Sequence, residues 1–148
     1  MIKTFRGILD DGAQKKVRLS TKKGKIGYRI VKFEIYPNKP GQESVENNIA
    51  IWKVKQSSVS TSVFTVDFSD ANMLAVASYH DSSSESTTSD FVTIFDREIF
   101  NQDVFITHTD TNSNIPCNYY LELETINMTD NATAVSTLRD IRLNPEPI

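Results

Sequence analysis

Apolar and polar side chains alternate with a period of two along most of this chain, and no other feature of the sequence restricts the fold as tightly. Neighbouring side chains on a strand point to opposite faces, so this period marks strands that bury one face and wet the other. From Tyr28 to Tyr36, Val31, Phe33 and Ile35 are expected on one face and Lys32 and Glu34 on the other, until Pro37-Asn-Lys-Pro40-Gly41 stops the run. Asn48 to Gln56 repeats the pattern, with Ala50, Trp52 and Val54 opposite Lys53 and Lys55. Phe64, Val66 and Phe68 suggest a third strand, with Asp67 on its other face. Further strands are expected at Met73 to Tyr79, Phe91 to Phe95, Asp103 to Thr109 and Asn118 to Ile126, where Tyr119, Leu121 and Leu123 alternate with Glu122 and Glu124. At the start of the chain, Ile2 to Leu9 and Lys16 to Ser20 flank Asp10-Asp11-Gly12, a turn signal of the kind that closes hairpins. About nine strands are expected in all.

Strands that follow one another without intervening helices form antiparallel sheets, and each sheet must bury a face. The expected fold is all-β, an antiparallel two-sheet β-sandwich, either jelly-roll-like or immunoglobulin-like. The 148 residues suffice for one such domain, and the strand pattern leaves no part large enough to stand alone. One helix is expected over Asp130 to Arg142, where Ala132, Val135, Leu138 and Ile141 recur every three residues, followed by a tail at 143–148 that holds two prolines. Residues 80–90, with Ser82-Ser-Ser-Glu-Ser-Thr-Thr-Ser89, read as an exposed loop, and Asp110 to Asn114 as a shorter one.

The charge is divided along the chain. Residues 1–32 carry ten Lys and Arg against Asp10 and Asp11, a net +8, whereas the rest of the chain sums to −11, giving the overall −3. Such a basic opening segment, expected as a hairpin, can meet acids within its own fold or dock on an acidic protein surface, where complementary potentials speed encounter and fix register. Nucleic acid is not expected as a partner, because only Phe5 and Tyr28 interleave the cations and the acidic remainder repels phosphate. No apolar run is long enough to cross a membrane, so no membrane partner is expected, and Met1 to Arg6 lacks the apolar stretch of a secretion signal, which points to synthesis in the cytoplasm.

The sequence offers little for catalysis. The two imidazoles stand in His80-Asp81 and His108-Thr-Asp110, short of the three or four ligands of a tight metal site. The single Cys117 forms no disulfide within the chain and reads as a small buried residue rather than an activated nucleophile. Acid pairs such as Asp67 with Asp70 and Glu122 with Glu124 arise by chance in a chain with nineteen acids. Glycosylation patterns at Asn127-Met-Thr129 and Asn131-Ala-Thr133 have no meaning without a secretory route. No phosphate-cradling glycine loop or nucleophile elbow is present. We therefore expect no enzyme, no catalytic residue, no cofactor and no metal.

Several segments together resemble a known group of proteins: Phe5-Arg-Gly-Ile-Leu9, Arg18-Leu-Ser-Thr21, Gly24 to Phe33, Ile51-Trp-Lys-Val54, Ile94 to Asp103 and Ala134 to Arg142. Across most of its length the chain is similar to small virion-associated proteins of marine tailed phages. That resemblance implies a structural role in the virion. Joined to the charge split, it points to a capsid decoration or cement protein that binds the major capsid protein and copies of itself as a homo-oligomer, many weak contacts summing by avidity. The expected docking surface is Lys15, Lys16, Arg18, Lys22, Lys23 and Lys25, with Phe5 and Ile8 anchoring the first strand and Leu138, Ile141 and Leu143 forming a second contact. The alternative is a carbohydrate- or receptor-binding module of a tail or fibre that stacks sugars on Trp52, Tyr79, Tyr119 or Tyr120, although Trp52 shares its expected face with Ala50 and Val54 and is better explained by burial. A hydrolase acting on the host envelope is a third class, without a motif to support it.

Overall fold

The computed structural model describes residues 1–40, 44–81, 90–112 and 114–128, and within them the chain forms eight strands and no helix. These are β1 (Ile2–Leu9), β2 (Gln14–Val17), β3 (Ile26–Pro37), β4 (Val45–Trp52), β5 (Met73–Asp81), β6 (Asp90–Phe95), β7 (Val104–Asp110) and β8 (Cys117–Asn127). They make two antiparallel sheets, a small one ordered β1-β8-β3 and a large one ordered β2-β7-β4-β5-β6. The pairing nests from the ends of the chain inward: β1 lies beside β8, β2 beside β7 and β4 beside β5. β3 meets the stretch after β6 at Tyr28 and Phe100, which exchange N–H···O bonds of 2.7 and 2.9 Å. A long hairpin wound on itself in this way is the jelly-roll order. An immunoglobulin domain would pair the first strand with the second, and here those two belong to different sheets.

The expected opening hairpin is therefore corrected. Asp10-Asp11-Gly12 does turn the chain, with the Ala13 N–H donating to the Asp10 carbonyl at 3.0 Å and Gly12 at φ 82°, but its two arms pair with β8 and β7 rather than with each other. A local turn signal fixes a change of direction and says nothing about which strands the arms will join.

The core lies between the sheets. Ile30, Phe33, Leu121 and Leu123 of the small sheet pack with Ile49, Ile51, Val104 and Ile106 of the large one, and Phe100 closes the β3 side. Each such side chain, fully withdrawn from water, contributes roughly 1.5–3 kcal/mol. Ile49, Ala50 and Ile51 are all buried, so β4 is covered on both faces at its centre, while Glu46, Asn48 and Trp52 of its outer face are half-buried. The cause is the long connection 53–72, which folds back over the outer face of the large sheet. Its ends meet where the Lys53 N–H donates to the Asn72 carbonyl at 2.7 Å, and its middle is tied down by Gln14 Nε2 to the Gln56 carbonyl at 3.0 Å and Thr109 Oγ1 to the Ser60 carbonyl at 2.7 Å.

That connection overturns two further expectations. Phe64 to Phe68 is not a strand, and Val66 and Phe68 are exposed instead of facing a core; Asp67 turns the chain by accepting from the Ser69 N–H at 2.9 Å. Lys53, expected on a wet face, is buried and reaches Glu98 at 2.5 Å. In β3 the alternation slips at a bulge between Ile30 and Lys32, so Ile30, Phe33 and Ile35 face inward while Val31 is exposed. His80 and Asp81 belong to β5, and the rest of the expected loop up to Ser89 lies outside the described residues, as do the expected helix at 130–142 and Leu138, Ile141 and Leu143.

Candidate functional site: a cationic cleft between two sheet edges

β1 and β2 are the edges of their respective sheets on the same side of the sandwich. Between them runs a cleft of about 390 Å³ lined by Thr4, Phe5 and Arg6 from β1, Lys15, Lys16 and Val17 from β2, Arg18 beyond it, and Tyr119 from β8. Phe5 is half-buried against the core, and Val17 and Tyr119 are buried beneath the cleft. Lys15, Lys16 and Arg18 are exposed. Lys16 is the one of the three with an ion pair, at 3.4 Å from Asp103, and its ammonium also stands 6.0 Å from the Phe105 ring centroid. Among the described residues Arg6, Lys15 and Arg18 form no ion pair, so their charge is open to a partner.

Asp103 sets the shape of the cleft's rim. Its Oδ1 accepts from the Leu19 N–H at 2.7 Å and the Ser20 N–H at 2.8 Å, which clamps the chain as it leaves β2. Burial acts to raise the carboxyl's affinity for a proton, but those two N–H groups and the Lys16 ammonium outweigh it and hold the group below the ordinary carboxylate range. Asp103 is thus a fixed anion that orients Lys16 and presents Arg18.

Of the residues singled out from the sequence, Phe5, Lys15, Lys16 and Arg18 come together here. Lys22, Lys23 and Lys25 stand on the exposed β2–β3 connection, whose turn is made by Gly24 at φ 64° and held by Asn101 Nδ2 donating to the Gly24 carbonyl at 3.1 Å. Next to that connection Lys3 lines a second depression of about 470 Å³ with Met1, Thr21 and Ile26. Ile8 does not join them. It projects from the opposite face of β1, 52% exposed, and anchors nothing in the cleft. Arg6, absent from the expected set, lines both the cleft and the groove on that opposite face. Its alternation with Phe5 along β1 was the available signal.

The groups considered for chemistry are placed in structural roles. His108 is buried, with Nε2 3.0 Å from the Asn47 side-chain oxygen. Burial lowers its proton affinity, against the pull of the Asp10 and Leu9 carbonyls and of Asp11 and Asp110. Asp110 accepts from the backbone N–H groups of Glu46, Asn112 and Ile115 and so shapes the turn after β7. Cys117 is wholly buried, and burial pushes its thiol up to about 12. Glu122 accepts from the Tyr120 hydroxyl at 2.8 Å and Glu124 pairs with Arg29 at 2.6 Å, so neither is set up as half of an acid pair.

Of the four aromatics considered as sugar platforms, two are buried and Trp52 is half-buried. Tyr79 and Tyr119 are buried, and Trp52 packs half-buried on the outer face of β4 with its indole N–H donating to Thr107 Oγ1 at 2.9 Å. Tyr120 stands on the outer face of the small sheet. A scan against protein-family models and a search of curated proteins each gave no match to this chain.

Proposed function

We propose that this is a non-enzymatic structural protein of a phage virion, a capsid decoration or cement protein that binds the major capsid protein and copies of itself through the β1–β2 side of the sandwich. The observation that supports this reading is the cleft itself: Arg6, Lys15 and Arg18, none of them ion-paired among the described residues, surround a floor that contains Phe5. Cations around a half-buried aromatic suit an acidic protein segment with an apolar side chain to insert, the aromatic as the centre of the contact and the cations as its rim. The sandwich supplies a rigid body, and the winding brings both edges to one side. On a shell, many copies each holding by a modest contact give a stable layer.

The experiment is co-sedimentation of the purified protein with capsid shells of the virus that encodes it, over a series of salt concentrations. The charge-reversed variant Lys15→Glu/Lys16→Glu/Arg18→Glu is expected to bind at least about tenfold more weakly at 0.1 M salt, and the wild type to lose affinity as salt shortens the screening length from about 10 Å. Undiminished binding of a folded triple variant would remove the proposal.

A further inference from the structure

We propose that the outer face of the three-stranded sheet is a binding site for a neutral oligosaccharide, with Tyr36 and Tyr120 as its stacking floor. This site lies on the other face of β1 from the cationic cleft; the two share Arg6 and Tyr119, but the site does not rest on the docking role proposed for the cleft.

The register of the small sheet lays out the site. Ile8, Asn118 and Tyr36 are cross-strand neighbours in one row, and Arg6, Tyr120 and Glu34 in the next. Alternation puts these six side chains on the face turned away from the core, where they line a groove of about 620 Å³, within the range of small-molecule sites. Tyr36 is 59% exposed, a large apolar area to leave in water on a strand. Tyr120 is held in place, its hydroxyl donating to Glu122 at 2.8 Å and its ring 5.6 Å from the Lys32 ammonium. A groove floored by strands is already in its binding shape, so ordering it costs little.

The polar groups select the ligand. Arg6 donates only and Glu34 accepts only; with Lys32, 3.9 Å from Glu34, and Glu122 beside Tyr120, two cations stand against two anions around the groove. Asn118 donates Nδ2 to the Tyr36 carbonyl at 3.3 Å, and its Oδ1 has no donor among the described residues. A sugar hydroxyl donates and accepts at once, so it can use such a mixed set, while the C–H face of the ring lies on an aromatic. An anionic ligand would meet Glu34 and Glu122, and a purely apolar one would strip water from Arg6 and Glu34 without replacing it.

The test is titration of ¹⁵N-labelled protein with maltohexaose, cellohexaose and chitohexaose, each to about 10 mM, the weak end of specific binding. At least one should give saturable amide shifts centred on residues 6–8, 34–36 and 118–120. Tyr36→Ala and Tyr120→Ala should each weaken that binding about three- to tenfold, the value of one aromatic contact. Tyr36 is exposed enough that its truncation leaves the core untouched, so the test stands if the second variant folds poorly. The proposal is overturned if none of the three sugars shifts these amides, if the folded Tyr36→Ala binds as tightly as wild type, or if a heparin hexasaccharide occupies the groove more tightly than any neutral one.

Discussion

Cys117 offers the sharpest check on the core and on the absence of an activated thiol. Its side chain has no exposure, and Sγ lies 3.5 Å from the carbonyl of Tyr36. Removal from water raises the thiol from 9.0 to about 12, with the Tyr36 contact acting weakly the other way and Asp110 adding to the rise. At pH 8 an ordinary thiol is about one-tenth thiolate, whereas this one would be about one part in ten thousand, so chemistry alone slows alkylation by about a thousandfold. Burial slows it further, because reagent must wait for the sandwich to open. Labelling with iodoacetamide at pH 8, followed by intact mass, should therefore run at least about a thousandfold slower in buffer than in concentrated urea, and accelerate with urea in step with unfolding. Native labelling within about tenfold of the denatured rate would refute both the burial and the reading of Cys117 as inert.

The same shift has a signed consequence for stability. The unfolded thiol releases its proton near 9 and the folded one near 12, so the contribution is intact below pH 9 and is lost as pH rises through that window, at about 1.4 kcal/mol per unit. Cys117→Ala has no thiol to titrate, so the stability difference between it and the wild type should narrow from pH 9 to pH 10.

Two other residues give independent tests. His108 carries a lowered proton affinity in the fold, so its contribution is present above the unfolded value of about 6.5 and is lost as pH falls below it; the urea midpoint should drop between pH 6.5 and 5 more steeply in wild type than in His108→Gln, by at most about 1.4 kcal/mol per unit. Gly7 leaves little room for a side chain, since a Cβ there would stand 3.0 Å from the Tyr119 hydroxyl and 3.2 Å from its ring and would push that buried ring aside, and Gly7→Ala should cost about 1–3 kcal/mol in a urea titration followed by Trp52 fluorescence.

Strand positions were legible because most strands keep one wet face. Ile2–Leu9 has the bounds expected for it, and β8 alternates Tyr119, Leu121 and Leu123 inward against Glu122 and Glu124 as the pattern implies. Legibility failed where burial is decided by distant segments. Lys53 is buried against Glu98, Ala50 on the outer face of β4 is buried beneath the returning chain, and no local period carries that information. At the site, Lys15, Lys16 and Arg18 were visible as a run of charge, whereas the groove with Tyr36 and Tyr120 depends on the register between β3 and β8, residues more than eighty positions apart in the chain. Tyr36 read as the last residue of a half-buried strand, and only the pairing shows that its face is shared with a second tyrosine.

The winding explains how part of the basic opening segment comes to one rim of the sandwich. Nested pairing makes the first two strands partners of the last two and leaves both as edges on one side, so the cations of β1 and β2 lie along one rim, while Arg29 and Lys32 on β3 pair with Glu124 and Glu34. On the far side of the large sheet the edge is β6, whose Phe91, Val92 and Ile94 are exposed and uncharged. Lysines on β1 and β2 admit a second explanation, because charge on an edge strand keeps it from pairing with other chains whatever the sign of that charge. The two explanations separate under charge reversal. Glutamates at 15 and 16 would guard β2 as well as lysines do, leaving the protein equally soluble, but would repel an acidic partner. A variant that stays soluble and no longer sediments with the shell assigns the rim to docking, and one that sediments unchanged assigns it to edge protection alone.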